Sequence, residues 1–142
     1  MSETNKQVAV NFLLALCSGD IDTLTTLTDK DIVAILPGTA QIAGTRGYAD
    51  VMAVCAMFPK ISKNGLKPIV LNVTAEDDRV AIEWEGECTL INGQAYNNVY
   101  HMLFFIRDGK VVRMKEYLDT KMADNVIMPF LASMAGNPAN SG

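Results

Sequence analysis

The chain has 142 residues, 49% of them apolar and 20% charged, and a formal net charge of −4. A chain of this length can bury roughly 70% of its unfolded surface, so one core can form without staples, and the apolar content is well above that of a disordered segment. The basic residues are outnumbered by the acids and do not cluster, which leaves no patch for counterion release and excludes a nucleic-acid partner.

Val8, Phe12, Ala15 and Leu16 recur at helical spacing and predict a first helix, with Gly19 as its left-handed stop. Asp20 caps a second, short helix carrying Ile21, Leu24 and Leu27. A strand over 31–36 breaks at Pro37-Gly38, and a loop runs through Gly44. Residues 48–58 then place Tyr48, Val51, Met52 and Cys55 on one helical face, and Pro59 is expected to end that helix. The second half reads as a meander, with strands at 66–76, 80–91, 95–107 and 111–118. Its turns fall at Asp77-Asp78, Asn92-Gly93 and Asp108-Gly109. Asn-Gly and Asp-Gly suit a type I′ hairpin because both central positions need positive φ.

Helices followed by an antiparallel meander predict an α+β fold. Two strands exceed the usual length, so the sheet is expected to curl, with Gly86 as a candidate bend. The expected organisation is a single domain over 1–135 and a loose tail over 136–142. The apolar runs are too short to cross a bilayer, and the N-terminus lacks the basic-then-apolar pattern of a secretory signal, so a cytoplasmic protein is expected. Cys17, Cys55 and Cys88 have neither metal-ligand spacing nor a CxxC pattern and read as small buried hydrophobes. His101 is the sole histidine and falls on the outer face of its strand, so neither a nucleophile triad nor a histidine metal site can be assembled, and no metal or cofactor is expected.

Alternation sorts each strand into two faces. Tyr96, Asn98, Tyr100, Met102, Phe104 and Ile106 share one face; Val112, Met114, Glu116 and Leu118 share a face of the last strand. Glu116 is thus a carboxylate among apolar neighbours, where desolvation disfavours its charge and tunes it for proton transfer near neutral pH. In the strand 80–91, Val80, Ile82, Trp84 and Cys88 oppose Glu83, Glu85 and Glu87. Either those acids face water, or they face the cavity mouth and Trp84 lies outside. Leu103 and Phe105 make the outer face of the sheet partly apolar, which predicts a homodimer through the sheet. Met128, Phe130, Leu131 and Met134 suit a C-terminal segment that closes over the hollow or packs across a dimer.

The stretch GQAYNNVYHMLFFIRDGKVVRMKEYLDT, with Gly93, Tyr96, Phe104, Asp108-Gly109-Lys110 and Glu116-Tyr117-Leu118-Asp119, resembles the closing hairpin of SnoaL-like proteins. These belong to the nuclear transport factor 2-like superfamily, together with polyketide cyclases, limonene epoxide hydrolase and ketosteroid isomerase. The resemblance implies a cone, with N-terminal helices packed in a curved antiparallel sheet around a pocket. It also implies that Glu116 occupies the position of a strand carboxylate acting as acid or base. It sets Glu85 and Glu87 where an Arg and an Asp stand in limonene epoxide hydrolase, and Val33 and Ile35 where a Tyr and an Asn hold that enzyme's water. The ketosteroid isomerase base would fall at Ile35 to Gly38, where no acid stands.

The expected site is therefore Glu116 as proton shuttle, with Asn98, Tyr100, Glu85, Glu87, Met102, Met114, Phe12 and Phe104 around a small apolar ligand. Tyr and Asn groups would hydrogen-bond an oxygen where charge builds up. That suits isomerisation, cyclisation or dehydration of a carbonyl compound. The other reading is a noncatalytic ligand-binding or dimerisation module, with Glu116 satisfied by Tyr100, Asn98 or Arg46 in a buried network.

Overall fold

Helices do precede the meander in the computed structural model, which describes residues 2–135. The first two helices, α1 (Ser2–Ser18) and α2 (Ile21–Leu27), meet at Gly19. Its φ is +78°, and a Cβ there would lie 2.5 Å from Pro59 Cγ, so both conformation and close approach demand glycine. Asp20 caps α2 by accepting a hydrogen bond from the Thr23 N–H at 3.2 Å, and hydrogen bonding from Thr23, its hydroxyl first and then its N–H, holds the Asp20 carboxyl below the usual range.

The third helix, α3 (Tyr48–Ile61), does not end at Pro59. Proline removes its own N–H and crowds the carbonyl four residues back, yet in the last turn few bonds remain to be lost. The helix runs on to Ile61, and the Ser62 hydroxyl donates to the Phe58 carbonyl just past its end.

Six strands form one curved, unclosed sheet: β1 (Thr28–Leu36), β2 (Gly44–Arg46), β3 (Lys67–Glu76), β4 (Arg79–Glu87), β5 (Asn98–Arg107) and β6 (Lys110–Leu118). Their order is β2-β1-β6-β5-β4-β3. The meander pairs antiparallel throughout, but β1 lies parallel to β6, with Ala34 beside Met114. β2 sits inside the expected loop and places Arg46 opposite Ala34; three residues offer no alternation to read.

β4 and β5 are both shorter than expected because the chain between them folds back on itself. Single bridges join Thr89 to Ala95 and Ser62 to Leu90. At Asn92-Gly93 only Gly93 has positive φ, +88°, and the Gly93 N–H donates to the Leu90 carbonyl at 2.8 Å while the Leu90 N–H donates to the Gln94 carbonyl at 2.8 Å. This is a three-residue hairpin loop rather than a type I′ turn. Asp108 and Gly109, at +53° and +76°, do meet the type I′ requirement for positive φ at both centres.

The register shifts between Phe105 and Ile106, which pair with Arg113 and Val111, so β6 carries a bulge at Val112. Val111, fully buried, therefore faces inward, whereas Val112 does not join the inner face expected for it. Past the bulge Met114, Glu116 and Leu118 keep the expected side. The inner face packs Ile82, Met102 and Phe104 against Phe12, Leu13 and Leu16 of α1. On the outside Leu71, Val99 and Tyr117 are exposed.

The chain continues through a helical turn, α4 (Thr120–Met122), a π-helical turn (Ala123–Ile127) and α5 (Met128–Ala135). The expected loose segment 136–142 lies outside the described residues. Among the described residues, no helix is long and apolar enough to cross a membrane.

Candidate functional site

Between the inner face of the sheet and the helices lies a cavity of about 290 Å³. Leu16 of α1, Val51 and Phe58 of α3, Leu36 of β1, and Ile127 and Leu131 of the C-terminal segment supply apolar wall. The C-terminal segment thus takes the first of its two expected roles, against the hollow. The polar groups in the wall are few: Glu116, Arg46, Tyr96, Tyr100, Cys17 and the indole of Trp84. A depression of about 480 Å³ beside Val33, Arg107 and Arg113 brings no buried acid with it.

Glu116 stands opposite Met102 across the β5–β6 pair, with Met114 and Leu118 on either side along its own face. Burial pushes its carboxyl up from 4.5 to about 7, and the positive charge of Arg46 pulls the other way without reversing the effect. Among the described residues no hydrogen bond and no ion pair reaches that carboxylate. The carboxylate therefore stands in the wall without a protein partner among the described residues.

Arg46 enters the wall from β2. Its Nη2 donates to the Ile42 carbonyl at 2.7 Å, and among the described residues no carboxylate lies within 4 Å of it. The remaining guanidinium N–H groups are free to meet a ligand oxygen.

Tyr100 lies in the wall with its hydroxyl raised well above the ordinary range, first by burial and then by Tyr96 and Glu116. It stays neutral and hence a donor. Tyr96 is likewise raised, mainly by burial. Trp84 pairs with Tyr100 across β4 and β5, and their rings stack at 3.9 Å, only 7° from parallel. Trp84 is 2% exposed, and among the described residues its Nε1–H has no hydrogen-bond partner, a deficit that costs about 1–3 kcal/mol in a buried group.

Of the residues expected at the site, Glu116, Tyr100, Met102 and Met114 line the cavity. Asn98 does not. It is buried behind Tyr96, donating to the Tyr96 hydroxyl at 3.0 Å and to the Asp119 carbonyl at 3.1 Å, so it positions a wall residue instead. Phe12 and Phe104 meet edge to face at 5.6 Å and belong to the packed core, outside the wall. Glu85 and Glu87 are exposed on the opposite side of β4, because Ile82, Trp84 and Gly86 take the inner positions; the side chains at those two positions point away from the hollow. His101 is exposed on the outer face, as alternation implied.

The inward residues of β1 are Ile32, Ala34 and Leu36, not Val33, which is exposed. The residues that β1 gives the cavity wall, Ala34, Ile35 and Leu36, are apolar and hold no water there. Sequence reasoning leaves three wall groups out of the expected site. Tyr96 is on the correct face by alternation and needs only to be counted. Arg46 is hidden in a loop, and Cys17 reads as core. Burial, with Glu116 and Cys55 adding, pushes the Cys17 thiol far above its ordinary range, so it is not a thiolate. Among the described residues no three His, Cys, Asp or Glu side chains gather as a metal site would require.

A profile of the SnoaL-like domain matches residues 9–114. No curated protein matches the chain. Among solved structures, Bal32a from a soil-derived mobile gene cassette is 25% identical, with a TM-score of 0.75, covering 87% of this chain and 96% of that one. IdmH, a proposed polyketide cyclase of Streptomyces antibioticus, is 22% identical with a TM-score of 0.70, covering 85% and 97%. An epoxide hydrolase of the limonene epoxide hydrolase-like kind from M. tuberculosis is 16% identical with a TM-score of 0.71, covering 96% and 98%. The likeness to the last two is one of fold.

Proposed function

The chain belongs to the SnoaL-like domain family, and on that premise we propose that it carries out acid/base chemistry on a small, mostly apolar carbonyl compound held in the cavity. The observation that carries this reading is Glu116: a carboxyl with no protein partner among the described residues, pushed up to about 7 by burial, in a mostly apolar wall. At that value it both takes and returns a proton near neutral pH.

The step is an enolisation. The Glu116 carboxylate removes a proton from the carbon beside the carbonyl; the C–H electron pair forms a C=C bond, and the carbonyl π pair moves to oxygen. The guanidinium of Arg46 and the hydroxyl of Tyr100 are the donors suited to that oxygen. Returned to a different carbon, the proton completes an isomerisation. Attack of the enolate carbon on a second carbonyl breaks that C=O π bond, and the alkoxide takes the proton from Glu116 to complete cyclisation; in dehydration the enolate re-forms the carbonyl as the β C–O bond breaks and the departing hydroxyl takes the Glu116 proton to leave as water. None of these steps calls for a cofactor. IdmH, a proposed cyclase sharing the fold, fits the same class of chemistry.

Solvent exchange tests the reading. Enolisable apolar ketones such as 2-tetralone, incubated in D2O with the protein, should lose their α-proton signals in NMR. Glu116→Gln should abolish that exchange while retaining binding. Equal exchange by the two proteins would remove Glu116 from the chemistry, and the absence of any ketone binding would remove the ligand site. The exposed Leu71, Val99 and Tyr117 support a homodimer joined through the outer face of the sheet.

A further inference from the structure

Arg46 and Glu116 are the two wall residues that can carry charge near neutral pH, and they do not balance. Burial holds the Glu116 carboxyl neutral up to about 7, whereas a guanidinium keeps its proton throughout. The hollow therefore carries one positive charge on the acid side of neutrality. Among the described residues no protein group answers it. No carboxylate lies within 4 Å of Arg46, and two acids on the elements around it are engaged with backbone amides. Asp50 of α3 accepts from the Gly47 N–H at 2.9 Å, and Asp124 of the π-helical turn accepts from the Gln41 and Ile42 N–H groups at 2.9 and 3.1 Å.

The guanidinium is also held in place. Arg46 stands opposite Ala34, which lies beside Met114 on the other side, so β1 alone separates it from the strand of Glu116. Its Nη2 donates to the Ile42 carbonyl at 2.7 Å, and Ile42 itself lines the cavity. That bond uses one N–H. The rest of the planar group offers a fork suited to the two oxygens of a carboxylate, and the fork is oriented before any ligand arrives.

We propose that the ligand is an anion, an apolar oxo acid whose carboxylate docks on the guanidinium of Arg46. The proposal rests on the reading of the cavity as a site for a carbonyl compound, and it narrows that class to carbonyl compounds bearing an acid. Arg46 becomes the residue that selects and orients the ligand through the acid group. The Tyr100 hydroxyl is then the donor left for the oxygen of the reacting carbonyl.

The probes are 2-naphthylacetate and 1-(2-naphthyl)propan-2-one, alike in shape, the second carrying a methyl group where the first carries a charged oxygen. The chain as a whole is acidic, at −4, so its general field disfavours the carboxylate and any preference for it arises in the cavity. At pH 6, calorimetry should show the carboxylate bound roughly ten- to hundredfold more tightly than the ketone, the range expected for a hydrogen bond to a charged group. Arg46→Met should bring the two affinities together. Raising the pH to 8.5 should weaken the carboxylate and not the ketone, because Glu116 then ionises in the same hollow. Cys17, Tyr96 and Tyr100 stay neutral over that range, and α3 and the C-terminal segment bring only apolar groups to the wall. Glu116→Gln should remove the pH dependence.

If the ketone binds as tightly as the carboxylate, or the preference survives Arg46→Met, the proposal is overturned while the ligand site stands. A carboxylate affinity indifferent to pH places the anion outside the hollow that Glu116 shares and overturns it as well. If neither probe binds, the ligand site falls and this inference with it. Should Arg46→Met fail to fold, the Arg46 Nε–H resonance of the ¹⁵N-labelled wild type decides: naphthylacetate should move it, and a resonance left in place overturns the proposal.

Discussion

Asp124 and Ile42, far apart in the chain, are joined by a hydrogen bond of 3.1 Å from the Ile42 N–H to a carboxylate oxygen, while the other oxygen accepts from the Gln41 N–H at 2.9 Å. The carbonyl of the same Ile42 accepts from Arg46. The backbone of Ile42 is therefore held from both sides, and the π-helical turn is tied to the loop that aims Arg46 into the cavity. Asp124→Ala should lower stability by about 1–3 kcal/mol, since two backbone donors lose a charged acceptor. Urea unfolding reads the loss, and hydrogen exchange at residues 41 and 42 should speed up more than at β5. Unchanged exchange there would show that the tie does not hold the loop.

The proton on Glu116 makes stability depend on pH. Between 4.5 and about 7 the folded protein keeps a proton that the unfolded chain has released, so the native state binds more protons and stability falls as pH rises through that window. Below it this contribution vanishes; above it the penalty is complete, at roughly 3 kcal/mol. Glu116→Gln should therefore match wild type near pH 4 and be the more stable protein by about that amount near pH 8.5. Denaturant unfolding at both pH values distinguishes this from a structural carboxylate, for which the amide would be destabilising above pH 7.

Gly86 has no room for a side chain on the inner face. Gly86→Ala places a methyl group against Leu66, Tyr100 and Trp84 at 2.9–3.2 Å, and overpacking of this kind costs about 1–3 kcal/mol. Because the relief has to come from the Trp84–Tyr100 stack, tryptophan fluorescence should change along with the melting temperature. A change in stability with an identical emission spectrum would mean that Leu66 alone moves.

Phe12 and Phe104 separate core packing from ligand contact. Phe12 is fully buried, so Phe12→Ala should cost about 3–5 kcal/mol. At temperatures where the variant is folded, its affinity for an aromatic ketone should be close to wild type. A selective loss of affinity would return Phe12 to the cavity wall.

On the outer face, Val99 is 55% exposed and stands opposite Glu85. Val99→Glu should leave the fold intact and, if the sheet face joins two copies, turn a dimer into a monomer in sedimentation velocity. A wild-type protein that sediments as a monomer would dispose of the dimer outright.

Alternation made most of the site legible. It put Tyr100, Met102 and Glu116 on one surface and Glu85 and Glu87 on the other, and only the resemblance to an epoxide hydrolase drew those two acids back toward the pocket. It failed at Val112, because a bulge adds a residue that the period of two cannot count. It also gave no warning that Asn98, though on the inner face, turns toward Tyr96 and Asp119. Arg46, read from sequence only as a partner for Glu116 in a buried network, could not be placed on a strand because β2 is three residues long and gains its strand identity only from pairing with β1. The parallel contact of β1 with β6 left no trace in either segment alone, since nothing in a short apolar run says which distant strand will accept it.

That contact also sets an order of events. β3 to β6 can zip together as neighbours while the polypeptide is being made, but β1, synthesised early, has only the three-residue β2 to pair with until the final strand emerges. Its other edge stays unpaired through most of translation, and closing so long a loop is slow and costs entropy. A chain cut short before Val111 would lose the acid and the strand that anchors the β1–β2 flap together. Truncated products of this gene should therefore be substrates for proteases rather than weakened versions of the protein.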